Sequence, residues 1–590
     1  MKTLMLGNEA VARGAWEAGA RVASAYPGTP STEITEYIAK YDEIFSEWAP
    51  NEKVAVEVAI GASVIGARAV ASMKHVGLNV ASDPLFTASY TGVNGGLVIC
   101  VADDQGMHSS QNEQDSRHYA KASKTLMLEP ADSAECKDFV KRAFGISEEF
   151  DTPVLIRLCT RISHSRGLVE TGARAEIPLK KYEKNPAKYV MAPASAKGRH
   201  VFVEERALRE KEWCETSDLN RIEMHDRKIG VIAAGVAYQY AKEALGERAS
   251  YLKLGVIYPL PDKLLAEFCA KVDECYVIEE LDPFIEEHCK QLGLKVTGKE
   301  IFPMTFEYSA PMIKKAVLGE DTEIMDVARA GAIPVRPPVM CSGCPHRGVF
   351  YVLKQMKLTV SGDIGCYTLG AFEPLSAMDT TVCMGASVSM AHGMEMAAGA
   401  DQARKTVGVI GDSTFIHSGI TGLIDIVYNK GTSTIIILDN SITGMTGHQQ
   451  NPSTGITIKG EKTRAVDLKK LCEAVGVAAE RVVIADPFDV DAFRKVLETE
   501  LAAEEPSVII AQRPCKLLKG VEYEERYRIN AELCKNCNFC MNIGCPSLVR
   551  KDGRIVINES RCTGCGYCYR VCKFKAIEPK AKKKEGEVLA

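Results

Sequence analysis

Between Cys534 and Cys572 the chain carries eight cysteines in two near-repeats, Cys534-x2-Cys537-x2-Cys540-x4-Cys545-Pro546 and Cys562-x2-Cys565-x2-Cys568-x3-Cys572. No other stretch constrains the fold as tightly. The 21 cysteines are not spread as in a secreted disulfide framework, and clustered Cys-x-x-Cys spacings in a cytosolic chain mean metal or redox chemistry. A zinc ribbon is the plain alternative, but two x2-x2 triplets in succession disfavour it. A net charge of −5 with 25% charged residues gives no footprint for nucleic acid. No run reaches the roughly 20 apolar residues of a membrane span. The apolar stretch within residues 1–15 is too short for a signal peptide, so the expected location is cytoplasmic.

The cysteine tail resembles the two-cluster bacterial ferredoxins, in which the fourth cysteine of each run ligates the other cluster. Carried over, Cys534, Cys537, Cys540 and Cys572 hold one [4Fe-4S] cluster, and Cys562, Cys565, Cys568 and Cys545 hold the other. Two departures stand out: x4 rather than x3 before Cys545, and Lys573 where a proline is expected. The extra residue is expected to distort the second cluster or loosen its iron. The Lys-rich end after Lys580 reads as a solvated terminus.

A second organising stretch runs from Gly411 to Pro452. An apolar run, Thr406 to Ile410, precedes Gly411-Asp412-Ser413, and a second, Ser433 to Leu438, ends in Asp439-Asn440. Read as parallel strands, the two runs put a carboxylate and an amide oxygen on one sheet edge, where open α/β sheets bind ligands. Asp412, Asn440 and a nearby carbonyl suit Mg2+ held against a diphosphate. An ordinary αβ turn is the alternative.

Gly-Asp-x followed by a distant Asn resembles the thiamine diphosphate motif, with Ser413 in place of Gly and Asp439 in place of Asn. Thr443-Gly444-Met445-Thr-Gly-His-Gln449 is similar to the pattern of the 2-oxoacid:ferredoxin oxidoreductases. The resemblance implies cofactor contacts from Thr29, His346, Gly385, Gly411, Asp412, Ser413, Asn440, Ile442, Gly444 and Met445, with Mg2+ on Asp412, Asn440 and the Ile442 carbonyl. It also makes Glu57 the buried carboxylate that bonds the aminopyrimidine ring. By itself, Glu57 within an apolar run reads equally as an exposed residue near a helix start. Small residues around Gly385 suit either a diphosphate at a helix N-terminus or a tightly packed helix.

The polar stretch Met107 to Arg117 follows a strand ending in Asp103-Asp104 and resembles a segment of the arylpyruvate branch of that family. Arg117 is the candidate for the substrate carboxylate, the alternative being a surface arginine. Cys341-Ser-Gly-Cys344-Pro-His346, Cys366 and Cys515 resemble the cluster set beside thiamine in these oxidoreductases. Zinc, a dithiol or unrelated buried cysteines remain as alternatives, and His346 reads otherwise as a loop histidine.

The expected fold is therefore multidomain α/β. It comprises a pyrimidine-type domain (1–180), a linker with an exposed helix (181–225), a transketolase C-terminal-like domain (226–333), a diphosphate-type domain (334–520) and a ferredoxin-like domain (521–590). The nearest family is that of the indolepyruvate ferredoxin oxidoreductase large subunits. It implies oxidative decarboxylation of arylpyruvates through a thiamine-bound enamine, with transfer of the acyl group to coenzyme A and of electrons to ferredoxin. It further implies a smaller beta subunit in an alpha2beta2 assembly, and an anaerobic setting. The rivals are a non-redox thiamine decarboxylase, a ferredoxin oxidoreductase for pyruvate or 2-oxoglutarate, and an electron-transfer subunit with a dead thiamine site.

Overall fold

A computed structural model of the chain describes residues 2–322, 337–523 and 525–580. The proline-rich linker at 334–336, with the domain boundary at 333, and the Lys-rich end beyond Lys580 lie outside them. The chain divides into two compact units, Met1–Gly331 and Ala332–Ala590.

The first unit is built on a seven-stranded sheet. Its order is Val256–Tyr258, Leu126–Leu128, Val154–Cys159, Leu97–Asp103, Ala69–Lys74, Val22–Ala25 and Phe45–Trp48. All neighbours are parallel except Val256–Tyr258, which runs antiparallel to Leu126–Leu128. The central strands are buried along their whole length, as a parallel sheet covered by helices on both faces requires. A smaller sheet in the same unit orders Glu274–Ile278, Ile229–Ala234, Ser250–Leu254 and Arg221–Glu223, the last antiparallel. The run from Tyr251 to Pro261 splits: its first half lies in the small sheet and Val256–Tyr258 crosses to the large one.

Residues 181–200 are exposed or half-buried, as expected of a linker, but the helix that follows is not wholly exposed. Pro193–Cys214 is a helix whose Val203, Arg206, Glu210 and Cys214 are buried. Arg206 reaches the Ser89 carbonyl at 2.7 Å and the Lys124 carbonyl at 2.8 Å, which docks the helix on the large-sheet domain. Its charged sequence conceals this, because the buried face carries the Arg206–Glu210 ion pair at 3.2 Å rather than an apolar stripe.

The second unit carries a parallel five-stranded sheet in the order Thr359–Ser361, Thr406–Gly411, Thr434–Asp439, Ser507–Gln512 and Val482–Ala485. The cysteine tail adds two antiparallel pairs, Tyr527–Ile529 with Ile577–Pro579 and Leu548–Lys551 with Arg554–Ile557. Tyr567 and Val571 of the tail share one apolar core with Phe350 and Phe488 of the sheet domain. The multidomain α/β class expected from the sequence is the class observed. Among the described residues no helix is long and apolar enough to cross a membrane.

Candidate functional site

In the second unit the strands Thr406–Gly411 and Thr434–Asp439 are direct neighbours, with Gly411 opposite Leu438. Asp412 and Asn440 therefore leave the same sheet edge, both buried. Burial, with Asp439 adding its charge, pushes the Asp412 carboxyl up to about 7. Two carboxylates this close repel unless a cation lies between them or one is protonated, and a divalent ion with oxygen preference fits the donors. Asp439 takes up the place of the expected asparagine by accepting from Gln512 at 2.8 Å and from the Ser441 amide at 3.0 Å. Ile442 is buried, while Met445 is exposed. A β-bridge between Thr443 and Gln449 closes the loop that holds Gly444.

The helix that starts at Asp412 contains a π-turn at Phe415–Gly419, a distortion frequent at functional sites. Ser413 is buried in its first turn. At the other glycine the structure corrects the expectation. The Gly385 and Ser387 amides donate to the two oxygens of Asp363 at 2.9 and 3.0 Å. The N-terminus of helix Ala386–Ala398 is thus capped by a side chain, and these two amides are not offered to a diphosphate. The φ of +88° at Gly385 explains its glycine.

His346 is buried, edge-on to Tyr367 with ring centroids 5.7 Å apart, and its Nε2 lies 3.5 Å from Asn440 Nδ2. Burial holds its pKa down to about 4, so the ring is neutral at physiological pH. Near the same edge Cys344, Cys366 and Cys515 each feel the charge of others in the set, Cys341 among them. A Cβ on Gly444 would lie 3.4 Å from the Cys366 sulfur, and the Cys515 amide donates to the Asn440 carbonyl at 2.9 Å.

The tail sorts its eight cysteines into two cavities. One is lined by Cys534, Cys537, Cys540 and Cys572, the other by Cys545, Cys562, Cys565 and Cys568. These are the crossed sets implied by the ferredoxin resemblance, and four thiolates per cavity suit a [4Fe-4S] group. The extra residue before Cys545 is taken up in the turn Phe539–Ile543 and by Gly544 at φ +66°, and Cys545 still joins its set. Lys573 lays its ammonium 4.2 Å from the Phe539 ring. Ser342 and Gly343, inside the Cys341–Cys344 turn, line the Cys545 cavity, and Ser342 Oγ lies 2.8 Å from Ser547 Oγ. The buried Arg347 guanidinium donates to the Ile543 carbonyl at 2.9 Å and feels the charge of Cys344, Cys545, Cys341 and Cys565.

In the first unit two expectations fail. Glu57 is not buried: its side chain is 45% exposed and pairs with Lys53. The buried carboxylate of helix Glu52–Val64 is Glu52, only 4% exposed, packed where a Cβ on Gly77 would lie 2.7 Å from its Cγ. The helical repeat explains this, since Glu52, Ala55, Val56, Ala59 and Ser63 share one stripe and Glu57 falls outside it. Counting the stripe from Asn51, which caps the helix at Val54, was the signal available in the sequence.

Each nitrogen of the Arg117 guanidinium is already bonded within the protein. Its Nε donates to Asp115 at 2.9 Å, one terminal nitrogen donates to Glu279, and the other reaches the carbonyls of Glu280 and Asp282 at 3.1 and 3.0 Å. It is a buried clamp from the polar loop to the smaller sheet. Thr29 sits on the loop after strand Val22–Ala25, half-buried, and its carbonyl accepts from Ser109 Oγ at 3.0 Å.

Comparison with known proteins agrees with this layout. Residues 13–228 match the family described as pyruvate flavodoxin/ferredoxin oxidoreductase, thiamine diP-bdg. Residues 363–511 match the thiamine pyrophosphate enzyme C-terminal TPP binding domain, and residues 555–578 match the 4Fe-4S binding domain. Fold and site thus define a thiamine-dependent, iron–sulfur enzyme of the 2-oxoacid oxidoreductase class. An indolepyruvate oxidoreductase subunit IorA of Archaeoglobus fulgidus is 40% identical, covering 98% of this chain and 97% of its own. Its counterpart from Pyrococcus horikoshii is 39% identical over 100% of this chain and 98% of its own. A 2-oxoglutarate synthase subunit KorA of Methanothermobacter thermautotrophicus is 25% identical over 46% of this chain and 86% of its own. The chain belongs to the indolepyruvate oxidoreductase IorA family.

Proposed function

We propose that the chain is the large subunit of an arylpyruvate:ferredoxin oxidoreductase, converting indolepyruvate and related acids to aryl-acetyl-CoA with reduction of ferredoxin. One observation carries the redox reading over a simple decarboxylase. The Asp412–Asn440 edge, the Cys341/Cys344/Cys366/Cys515 set and the Cys545/Cys562/Cys565/Cys568 cavity are joined by direct contacts, Cys515 on Asn440 and Gly343 on the second cavity. A non-redox decarboxylase has no use for thiolates that reach the cofactor edge. The KorA relative is 25% identical against 40% for the IorA relative, which favours the aryl acids over 2-oxoglutarate.

Thiamine diphosphate, when bound, supplies the carbanion chemistry that releases carbon dioxide from a 2-oxoacid. The chain's residues supply the setting. Asp412, Asn440 and the Ile442 carbonyl are the oxygen donors for Mg2+. Ser413 and the helix start at Asp412 face the diphosphate. Glu52, rather than Glu57, is the buried carboxylate for the aminopyrimidine ring. Cys341, Cys344, Cys366 and Cys515 would hold a third [4Fe-4S] cluster, which would supply one-electron chemistry beside the cofactor edge. Coenzyme A takes the acyl group. A smaller subunit completes the enzyme as an alpha2beta2 assembly, and low-potential iron–sulfur clusters fit a cytoplasmic, anaerobic life.

The test is anaerobic purification with the small subunit, addition of thiamine diphosphate and Mg2+, and viologen reduction with indolepyruvate, phenylpyruvate, pyruvate and 2-oxoglutarate. Coenzyme A-dependent reduction favouring the aryl acids is expected. Preference for pyruvate or 2-oxoglutarate overturns the substrate class, and carbon dioxide with aldehyde but no reduced dye overturns the redox reading.

A further inference from the structure

With Arg117 committed to Asp115 and Glu279, the substrate carboxylate needs another cation. The carboxyl edge of the seven-stranded sheet offers one that the family resemblance gave no reason to single out. Lys74 ends the strand Ala69–Lys74 and is 8% exposed. Its neighbours across the sheet end in the loop of Thr29 on one side and in Asp103-Asp104 on the other. The aliphatic stem lies over Gly28, where a Cβ would stand 3.1 Å from both Cγ and Cδ, so the glycine makes room for it.

The ammonium is underused. Among the described residues its one hydrogen-bond acceptor is the Ser109 carbonyl at 3.0 Å, and none of the ion pairs there involves it. A Lys head has three donors, and a buried cation with a single neutral acceptor is costly to maintain. Asp104 stands close enough to act through its charge, as does Glu52, but Asp104 is otherwise engaged. Its oxygens accept from the Ser109 amide at 2.8 Å, Ser110 Oγ at 2.6 Å and Thr160 Oγ1 at 2.7 Å. These bonds keep Asp104 ionised and fix the loop that carries Ser109, whose hydroxyl in turn holds the Thr29 carbonyl. The whole arrangement presents an ammonium, short of acceptors, between the Thr29 loop and the buried Glu52.

We propose that Lys74 is the anion anchor of the substrate site, pairing with the carboxylate of the 2-oxoacid, while Ser109 and Asp104 hold it in place. This rests on the arylpyruvate reading above. Burial draws the Lys74 pKa down to about 8, and an incoming carboxylate offsets that cost by supplying the missing counter-charge. Decarboxylation removes charge from the anchored group as the reaction proceeds. The contact is therefore made most fully with bound substrate, and its loss belongs in KM rather than kcat.

The experiment uses the assembled wild-type and Lys74→Met enzymes with clusters and thiamine diphosphate bound. Lys74→Met is expected to raise KM for phenylpyruvate by about 30-fold or more with kcat changed by less than about threefold, and Lys74→Arg to recover most of the loss. Calorimetry of 3-phenylpropionate against 3-phenylpropionamide gives a readout that needs no turnover. The wild type should prefer the acid, and Lys74→Met should bind acid and amide alike. Equal binding of acid and amide by the wild type overturns the proposal even if the variant fails to fold. So does an active Lys74→Met enzyme with unchanged KM. A wild type that reduces no dye with any 2-oxoacid, yet prefers the acid, overturns the functional reading and leaves the anion anchor standing.

Discussion

The backbone amide of Cys515 donates to the carbonyl of Asn440 at 2.9 Å, tying a candidate cluster ligand to the strand end that offers the cation its amide oxygen. Cofactor edge and thiolate set thus move as one piece. Replacing Cys515 by Ala leaves the backbone bond intact and removes only the sulfur. Iron per chain should fall by about a third, from three clusters to two, and viologen reduction should fall by at least about tenfold, while bound thiamine is retained. Iron analysis and cofactor release after gel filtration check it. Unchanged iron would return the set to ordinary buried thiols.

Glu52 and Glu57 make a paired test. Glu52→Gln should lower turnover by about 100-fold or more, the scale of a lost acid–base partner. Glu57→Gln, losing only a surface pair with Lys53, should stay within about twofold of the wild-type turnover and leave apparent Tm unchanged. Steady-state dye reduction on the two variants decides which carboxylate serves the ring, and the reverse ranking would restore Glu57.

Arg117 should behave as structure rather than as substrate binder. Arg117→Met strands Asp115 and Glu279 without their cation, a change of about 3–5 kcal/mol for a broken buried pair. A clear loss in apparent Tm is expected, with KM for phenylpyruvate within about twofold in the folded fraction. A large KM increase at unchanged Tm would instead make Arg117 a substrate ligand.

Glu280 supplies a pH dependence. Burial pushes its carboxyl up to about 7, against a bond from the Tyr308 amide at 2.7 Å. In the unfolded chain it ionises near its ordinary value, so the folded state binds the proton more tightly. Its contribution to stability is complete below about pH 4 and is lost as pH rises through about 7, on the order of 3 kcal/mol in all. Glu280→Gln should remove that slope, and apparent Tm of wild type and variant from pH 5 to 8 should converge at the acid end and separate at the neutral end. Parallel curves would show that Glu280 ionises normally in the fold.

Sequence alone determined what depends on short spacing. The alternation of strands and helices and the Asp412–Asn440 edge follow from apolar runs and the residues that end them, and the crossed cysteine sets follow from the ferredoxin resemblance of two short runs. Tertiary structure decided what depends on which face is covered and which charge meets which. Helix phase put Glu52 inside and Glu57 outside. Glu279, remote in sequence, claimed Arg117, and the Arg206–Glu210 pair made a buried helix look like a linker. Lys74 is one lysine among many in the sequence. Only the strand beside it, the glycine beneath it and the saturated Asp104 near it leave its ammonium short of a partner, because burial and charge balance are properties of the folded neighbourhood rather than of the chain.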